Sequence, residues 1–210
     1  GSKEYVKTDN YFPQLDKVTV EEKIQFAKDM ESIAKGMDNR IKSCPYCFFG
    51  SGSGKSALVN SKGLDLNDKG NSIYCYMEAL AQDGEDLSDG FSFCFENSFS
   101  DFKPENLAKE AVEKAISYLG AKPIPSDTYK AVILNTVSSD ILSAVNSCFS
   151  ARAVQKNMSS LKGKLGTKVA SKAVTIVDDP FLPGQSGTSS FDGEGVATKY
   201  KEVIKEGVLK

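Results

Sequence analysis

The stretch GFSFCFENSF, residues 90–99, decides the fold class because apolar and polar side chains alternate along it. Phe91, Phe93 and Phe95 fall at every second position, which places three rings on one face of a β-strand. Such a face needs a cover. Apolar residues from Leu107 to Leu119 follow at helical spacing, behind a proline suited to a first helical turn. We therefore predict that this helix packs on the three rings.

The residues before this stretch predict one more helix and more strands. Thr19 and Glu22 have the spacing of a capping box, and apolar residues then recur every three or four positions. The order of helix, strands and helix indicates an α+β fold, a two-layer antiparallel sheet with helices on one face. Four strands are predicted from apolar runs bounded by turn residues, at Ile41–Phe49, Ser56–Asn60, Ser72–Ala81 and Gly90–Phe99.

The positions of the predicted helices and strands and of one proline-containing stretch divide the chain into four segments. Residues 1–18 form an N-terminal tail whose Gly1-Ser2 resembles a tag remnant, and residues 19–120 form the middle domain. A proline-containing linker at 121–127 separates it from residues 128–210, the truncated start of a second α/β domain. In that domain we expect a strand at Tyr129–Leu134, a helix from about Ile141 to Gln155, a strand at Val174–Val177 and a C-terminal hairpin from Thr198.

Composition excludes several classes of function. The net charge is −2 without a basic block, so direct nucleic acid binding is not expected. No apolar run approaches a membrane span, and we expect a cytoplasmic protein with reduced cysteines. Histidine is absent from all 210 residues, which excludes catalysis or zinc ligation by imidazole within the chain.

Two adjacent motifs, in CPYCFFGSGSGKS at 44–56, are near matches to known sites. The glycines before Lys55 and Ser56 leave a Walker A loop one residue short, so a flexible hairpin tip is predicted instead. Cys44 and Cys47 form a CxxC, but no helix follows to activate a thiol. On a regular strand the two side chains would also point to opposite faces, so we interpret them as ordinary thiols. An independent enzyme with a Cys-based zinc site or a CxxC redox site remains the alternative.

Four carboxylates flank one long loop near the C-terminus. Asp178 and Asp179 precede Pro180, and Asp192-Gly193-Glu194-Gly195 follows later. Such a set would suit a hard cation, or its members would cap turns by hydrogen bonds to the backbone. We favour turn capping.

Several motifs together resemble the TldD/PmbA family of DNA gyrase modulators and peptide-maturation proteases. They are the run Ser159–Gly166, Val177-Asp178-Asp179-Pro180, Phe191–Val196 and Gly207-Val208-Leu209, with Asn60–Leu64 upstream. The resemblance implies a heteromeric zinc protease of the cytoplasm that acts on unfolded peptides.

The resemblance also implies a subtype. The catalytic TldD-type subunit carries an HExxxH helix in which two histidines bind zinc and a glutamate activates water. Here Leu142 and Ser147 stand at the histidine positions and Ser143 at the glutamate position. The chain is therefore similar to the PmbA (TldE) type, for which we expect no catalytic residue, no metal and no cofactor. The expected partners are a TldD-type catalytic subunit and unfolded peptide, with only an indirect influence on gyrase.

Overall fold

The computed structural model describes Ser2 and residues 4–185 and 187–210. The predicted tag remnant begins at Gly1, which lies outside the described residues. The chain divides into two compact units, one containing Lys7–Ile124 and the other containing Pro125–Leu182 and Gly187–Lys210. The division falls inside the stretch 121–127 that was predicted as a linker.

The first unit is an antiparallel sheet with two helices on one face, which confirms the predicted fold class. Its sheet has the order β1-β2-β3. Buried side chains of β2 form the floor of the core, from Ile73 to Ala81 at every second position. The elements are α1 (Val20–Met37), β1 (Ile41–Val59), β2 (Asp65–Asp83), β3 (Asp86–Glu96) and α2 (Pro104–Ser117).

The predicted capping box at the start of α1 is confirmed. The Glu22 backbone N–H donates to the Thr19 hydroxyl over 3.2 Å, and the Thr19 N–H donates to the Glu22 carboxylate over 2.8 Å. Further along α1, Phe26, Met30 and Ala34 are buried at the expected helical interval. Phe26 also meets Phe49, Phe99 and Phe102 in a cluster with centroid distances of 5.5–6.0 Å.

The prediction of four strands is wrong because the first two are halves of one strand, β1. Residues from Gly50 to Ser56 pair one by one with β2, so this glycine-rich stretch is extended and is not a hairpin tip. Glycine and serine favour turns when no neighbouring strand is available. Here β2 supplies backbone hydrogen-bond partners, so the stretch stays extended. The hairpin turns at Asn60–Leu64, where Gly63 adopts a φ of +88°.

The expectation that α2 covers the phenylalanine face of β3 is also wrong. Phe91 and Phe93 are 52% and 57% exposed, whereas Ser92 between them is fully buried under α2. A Cβ atom at Gly90 would lie 2.3 Å from the Ala111 carbonyl oxygen of the helix. Small residues therefore let α2 approach closely, and the Ser92 hydroxyl donates to the Leu107 carbonyl over 2.8 Å.

The opposite face of the sheet carries six aromatic residues in two rows of three, which we call the outer aromatic face. Neighbouring rings lie 5.7–6.4 Å apart between centroids. The members on β1 and β3 are half or more exposed. The outer aromatic face consists of Tyr46, Phe48, Tyr74, Tyr76, Phe91 and Phe93.

A β-bulge in β1 corrects the expectation for the two cysteines of the CxxC. Ser43 pairs with Leu80 and Tyr46 pairs with Glu78, so three steps along β1 match two steps along β2. The extra residue reverses the alternation of side chains after it. Cys44 and Cys47 therefore both pack against the core, on the same face of the sheet.

The second unit contains two short helices and a small antiparallel sheet of order β4-β5-β6. The C-terminal hairpin is confirmed, with Glu206 and Gly207 at positive φ in its turn. The strand predicted at Tyr129–Leu134 is wrong, because these residues have no ladder partner among the described strands and are exposed. The elements are α3 (Asn135–Asn146), α4 (Ala151–Gln155), β4 (Ile176–Asp178), β5 (Lys201–Lys205) and β6 (Val208–Leu209).

The helix predicted from Ile141 to Gln155 is interrupted. A 3-10 turn at Ser147–Phe149 follows α3, and Ser150 is extended before α4 begins. Across the described part of the chain, no helix has both the length and the apolar character needed to cross a membrane.

Candidate functional site

A cleft of about 830 Å³ lies in the second unit between α3 and the small sheet. One wall is formed by residues of α3 and the 3-10 turn, and the other by all three strands. The lining residues that carry the argument are Leu142, Ser143, Asn146, Asp178, Lys201 and Glu202.

Three positions correspond to the zinc-binding motif of the catalytic subtype, Leu142, Ser143 and Ser147, and the structure brings only two of them to the cleft. Leu142 and Ser143 lie on α3 and line the cleft. Ser147 follows the last residue of α3 and starts the 3-10 turn, and it is not among the lining residues. The last turn of α3 presents Asn146 to the cleft instead.

The residues at this cleft do not fit a zinc ion. Leu142 has no donor atom, and a serine hydroxyl such as that of Ser143 is not a usual zinc ligand. The carboxylate of Asp178 forms an ion pair with Lys201 over 2.7 Å. The carboxylate of Glu202 pairs with Lys205 over 2.8 Å and raises the pKa of that lysine by a hydrogen bond.

The acidic loop motif caps its own turns. The Asp179 carboxylate accepts from the Phe181 N–H over 3.0 Å, just beyond Pro180. The Asp192 carboxylate accepts from the N–H groups of Glu194 and Val196, both over 2.9 Å. These are the Asx contacts by which aspartate stabilises tight turns.

Glycines complete the second of these turns. Gly193 lies between Asp192 and Glu194, which are joined by a hydrogen bond. Gly195 adopts a φ of +79° and donates its N–H to the Asp192 carbonyl. The Gly195 carbonyl accepts from the Tyr5 hydroxyl over 2.8 Å. Over residues 4–185 and 187–210, no three His, Cys, Asp or Glu side chains form a group able to hold a metal ion.

Sequence reasoning missed three features of the structure. Lys201 reaches the cleft because it pairs with Asp178 across β5 and β4, a register that no local motif signals. The shared face of Cys44 and Cys47 depends on the bulge. Alternation along β3 already indicates the outer aromatic face. The sequence-based prediction placed α2 on that face instead of on the face that contains Ser92.

Comparison with known families accounts for both units. Residues 13–119 match the model of the PmbA/TldA metallopeptidase central domain. Residues 126–210 match the model of the C-terminal domain of the same metallopeptidases. The first match alone covers about half of the chain, and the chain therefore belongs to the PmbA/TldD family.

Individual relatives agree with this assignment. The chain is 30% identical to a metalloprotease of Methanocaldococcus jannaschii over 92% of its own length and 43% of the relative's. It is 23% identical to the metalloprotease PmbA of Escherichia coli O157:H7, over 94% of its own length and 45% of that protein.

Solved structures give the same result. A proposed modulator of a DNA gyrase from Thermotoga maritima has a TM-score of 0.94 and 35% identity, over 100% of this chain and 49% of that one. TldE from Thermococcus kodakarensis, at 22% identity over 99% of this chain and 47% of that one, shares the fold with a TM-score of 0.79. The chain spans less than half the length of each of these four relatives.

Proposed function

We propose that this chain belongs to the metal-free, PmbA (TldE)-type subunit of a heteromeric zinc metalloprotease of the cytoplasm. In this proposal a TldD-type partner holds the zinc and cleaves, and the complex degrades or matures unfolded peptides. Any influence on DNA gyrase is indirect, through proteolysis of another factor, since the chain has a near-neutral charge and no basic block.

One observation carries the proposal. At the positions where the catalytic subtype needs two histidines and a glutamate, this chain has Leu142, Ser147 and Ser143. An isobutyl group and a hydroxyl cannot replace imidazole as zinc ligands, and these 210 residues contain no histidine. The carboxylates that line the cleft, those of Asp178 and Glu202, are each paired with a lysine. Activation of water for peptide cleavage is therefore assigned to the partner.

The sheet of the first unit supports a role in holding extended peptide. β1 is an edge strand of 19 residues, and its stretch Ser51–Ala57 is exposed. Gly52 and Gly54 in this stretch have open space around them, so a second strand meets little side-chain obstruction. Peptides bind such edges through main-chain hydrogen bonds, which suits substrates without a fixed sequence.

Reconstitution tests the division of labour. The full-length parent polypeptide is co-purified with a TldD-type partner, and casein or peptide cleavage is measured for each protein alone and for the pair. We expect a stable complex whose activity is lost when the zinc motif of the partner is disrupted. Cleavage by the parent polypeptide alone, at the rate of the complex, would contradict the proposal.

A structural experiment tests the peptide-binding role separately. Crystals of the complex are soaked with an extended peptide, and the strand that it joins is identified. We expect main-chain contacts along β1. A bound peptide without contact to any sheet edge of this chain would refute this part of the proposal and leave the division of labour intact.

A further inference from the structure

The β-bulge of β1 brings two thiols together in a way that the sequence alone argues against. Because Ser43 pairs with Leu80 and Tyr46 with Glu78, Cys44 and Pro45 both lie opposite Ala79. Cys47 lies opposite Met77, two residues further along β2. The cysteines therefore have the spacing of same-face neighbours on a strand, about 6.6 Å between Cα atoms at 3.3 Å per residue.

This Cα separation lies at the upper end of the disulfide range of about 4.4–6.8 Å, but same-face neighbours also hold their Cβ atoms about 6.6 Å apart. A disulfide needs about 3.5–4.5 Å between Cβ atoms, so its closure requires a local movement of the bulged backbone. Both side chains are partly buried and pack against the core beside α1. Both residues keep part of their surface exposed to solvent. Two partly exposed thiols on one face of a bulged strand allow attack of one thiol on an external sulfur, followed by closure through a local backbone movement.

The two thiols are also electronically distinct. The Cys47 thiol donates a hydrogen bond to the Cys44 sulfur, which lowers the pKa of Cys44 and raises the pKa of Cys47. Lys35 on α1 lowers the pKa of Cys44 further, and desolvation and Glu31 oppose it. Cys44 is therefore the thiol that ionises first, and Cys47 is held protonated beside it.

We propose that Cys44 and Cys47 form a reversible redox site that exchanges with low-molecular-weight disulfides of the glutathione class. The Cys44 thiolate attacks one sulfur of the small disulfide, a mixed disulfide forms, and one small thiolate leaves. Cys47 then loses its proton and attacks the Cys44 sulfur, the intramolecular disulfide forms, and the second small thiolate leaves. The protein loses two protons and two electrons, and the small disulfide is reduced to two thiols.

A second cysteine pair in the same sheet provides an internal control. Cys75 and Cys94 lie directly opposite each other on β2 and β3, closer than the proposed pair. Burial raises the pKa of both thiols, to about 11 for Cys94, which also donates to the Glu96 carboxylate over 3.4 Å. Proximity alone would favour this pair, whereas thiolate character favours Cys44.

The difference in reactivity can be estimated. The raised pKa of Cys94 lies about two units above the ordinary value, which lowers its thiolate population about 100-fold. A thiolate of higher pKa is a stronger nucleophile, and this recovers about tenfold of the lost rate. We therefore expect Cys44 to react at least about tenfold faster than Cys94 at neutral pH.

Peptide mapping after treatment with oxidised glutathione tests the proposal on the purified chain. Trypsin cuts after Lys42 and Lys55 and releases residues 43–55, which contain Cys44 and Cys47 but no other cysteine. We expect this peptide to be lighter by two hydrogen atoms and closed to N-ethylmaleimide. Cys75 and Cys94 fall together in the tryptic peptide 70–109, because Lys103 precedes a proline, and this peptide should still take up the reagent at both thiols.

Variants identify the attacking thiol. Cys47→Ser should accumulate glutathione on Cys44, and Cys44→Ser should leave Cys47 unmodified. Cys94→Ser is the matched control and should oxidise like the unaltered chain. The proposal is overturned if the peptide 43–55 of the unaltered chain keeps two free thiols, retains only glutathione adducts, or oxidises no faster than Cys94.

Discussion

Replacement of Gly90 by alanine tests the close packing of α2 on β3. The added Cβ would lie 2.3 Å from both the Ala111 carbonyl oxygen and the Ala115 nitrogen, which are backbone atoms of α2. Since non-bonded atoms keep about 3.4 Å or more apart, the helix must move about 1 Å away from the sheet. The Gly90 site cannot relieve the contact by a side-chain rotation.

The cost can be worked out from the contacts that this movement breaks. The hydrogen bond from the Ser92 hydroxyl to the Leu107 carbonyl, at 2.8 Å, would stretch by about 1 Å beyond a useful length, at about 0.5–1.5 kcal/mol. Overpacking of this kind costs about 1–3 kcal/mol, and the gain of alanine over glycine in a strand returns about 0.5–1 kcal/mol. We expect Gly90→Ala to lower the free energy of unfolding by about 2 kcal/mol.

Urea unfolding followed by circular dichroism measures this loss. With a slope of about 1–3 kcal/mol per molar urea, the midpoint should fall by roughly 1 M. Gly52→Ala is the matched control, because no atom lies within 4 Å of a Cβ at that strand position. Equal midpoints for the Gly90 and Gly52 variants would refute the described packing of α2 on β3.

Three further predictions concern the first unit. Thr19→Ala removes the capping box and should lower the free energy of unfolding by about 0.5–2 kcal/mol in urea titrations; no change would contradict it. A hydrogen bond from Arg40 lowers the Asp38 pKa to about 2, so its stabilisation is complete above the unfolded value near 4 and is lost as pH falls through about 2. Acid unfolding of Asp38→Asn should lack this component, and an unchanged pH profile would count against the pair. Phe102→Ala should cost about 3–5 kcal/mol because Phe102 is 4% exposed, and Phe93→Ala should cost less than about 1 kcal/mol because Phe93 is 57% exposed. Equal losses of stability by calorimetry would contradict the assigned faces.

The parts of the fold that local chemistry decides could be read from the sequence. The cap at Thr19 and Glu22 depends on residues three apart, and the hairpin at Glu206-Gly207 depends on a glycine at positive φ. Tertiary contacts decide the rest. Alternation along β3 defines two faces but does not say which one is covered, and the close approach at Gly90 makes that choice.

Long-range pairing explains the other departures. Gly50 to Ser56 have the composition of a turn, yet pairing with β2 keeps them extended. The bulge beside Pro45 adds one residue to one strand only, which reverses the side-chain alternation and brings the two thiols to one face.

The candidate site was only partly accessible from the sequence. Family motifs pointed to Leu142 and Ser143, and both line the cleft. The ion pair of Asp178 with Lys201 was not predictable, because it arises from the register of β4 against β5.

Zinc content tests the proposed metal-free role most directly. The purified chain is stripped with a chelator, incubated with zinc, desalted and measured by elemental mass spectrometry, together with a Cys44→Ser/Cys47→Ser variant that lacks the paired thiols. We expect far less than one zinc ion per chain in the variant, since Leu142 and Ser147 offer no ligand. One tightly held zinc ion per chain in both proteins would contradict the proposed function.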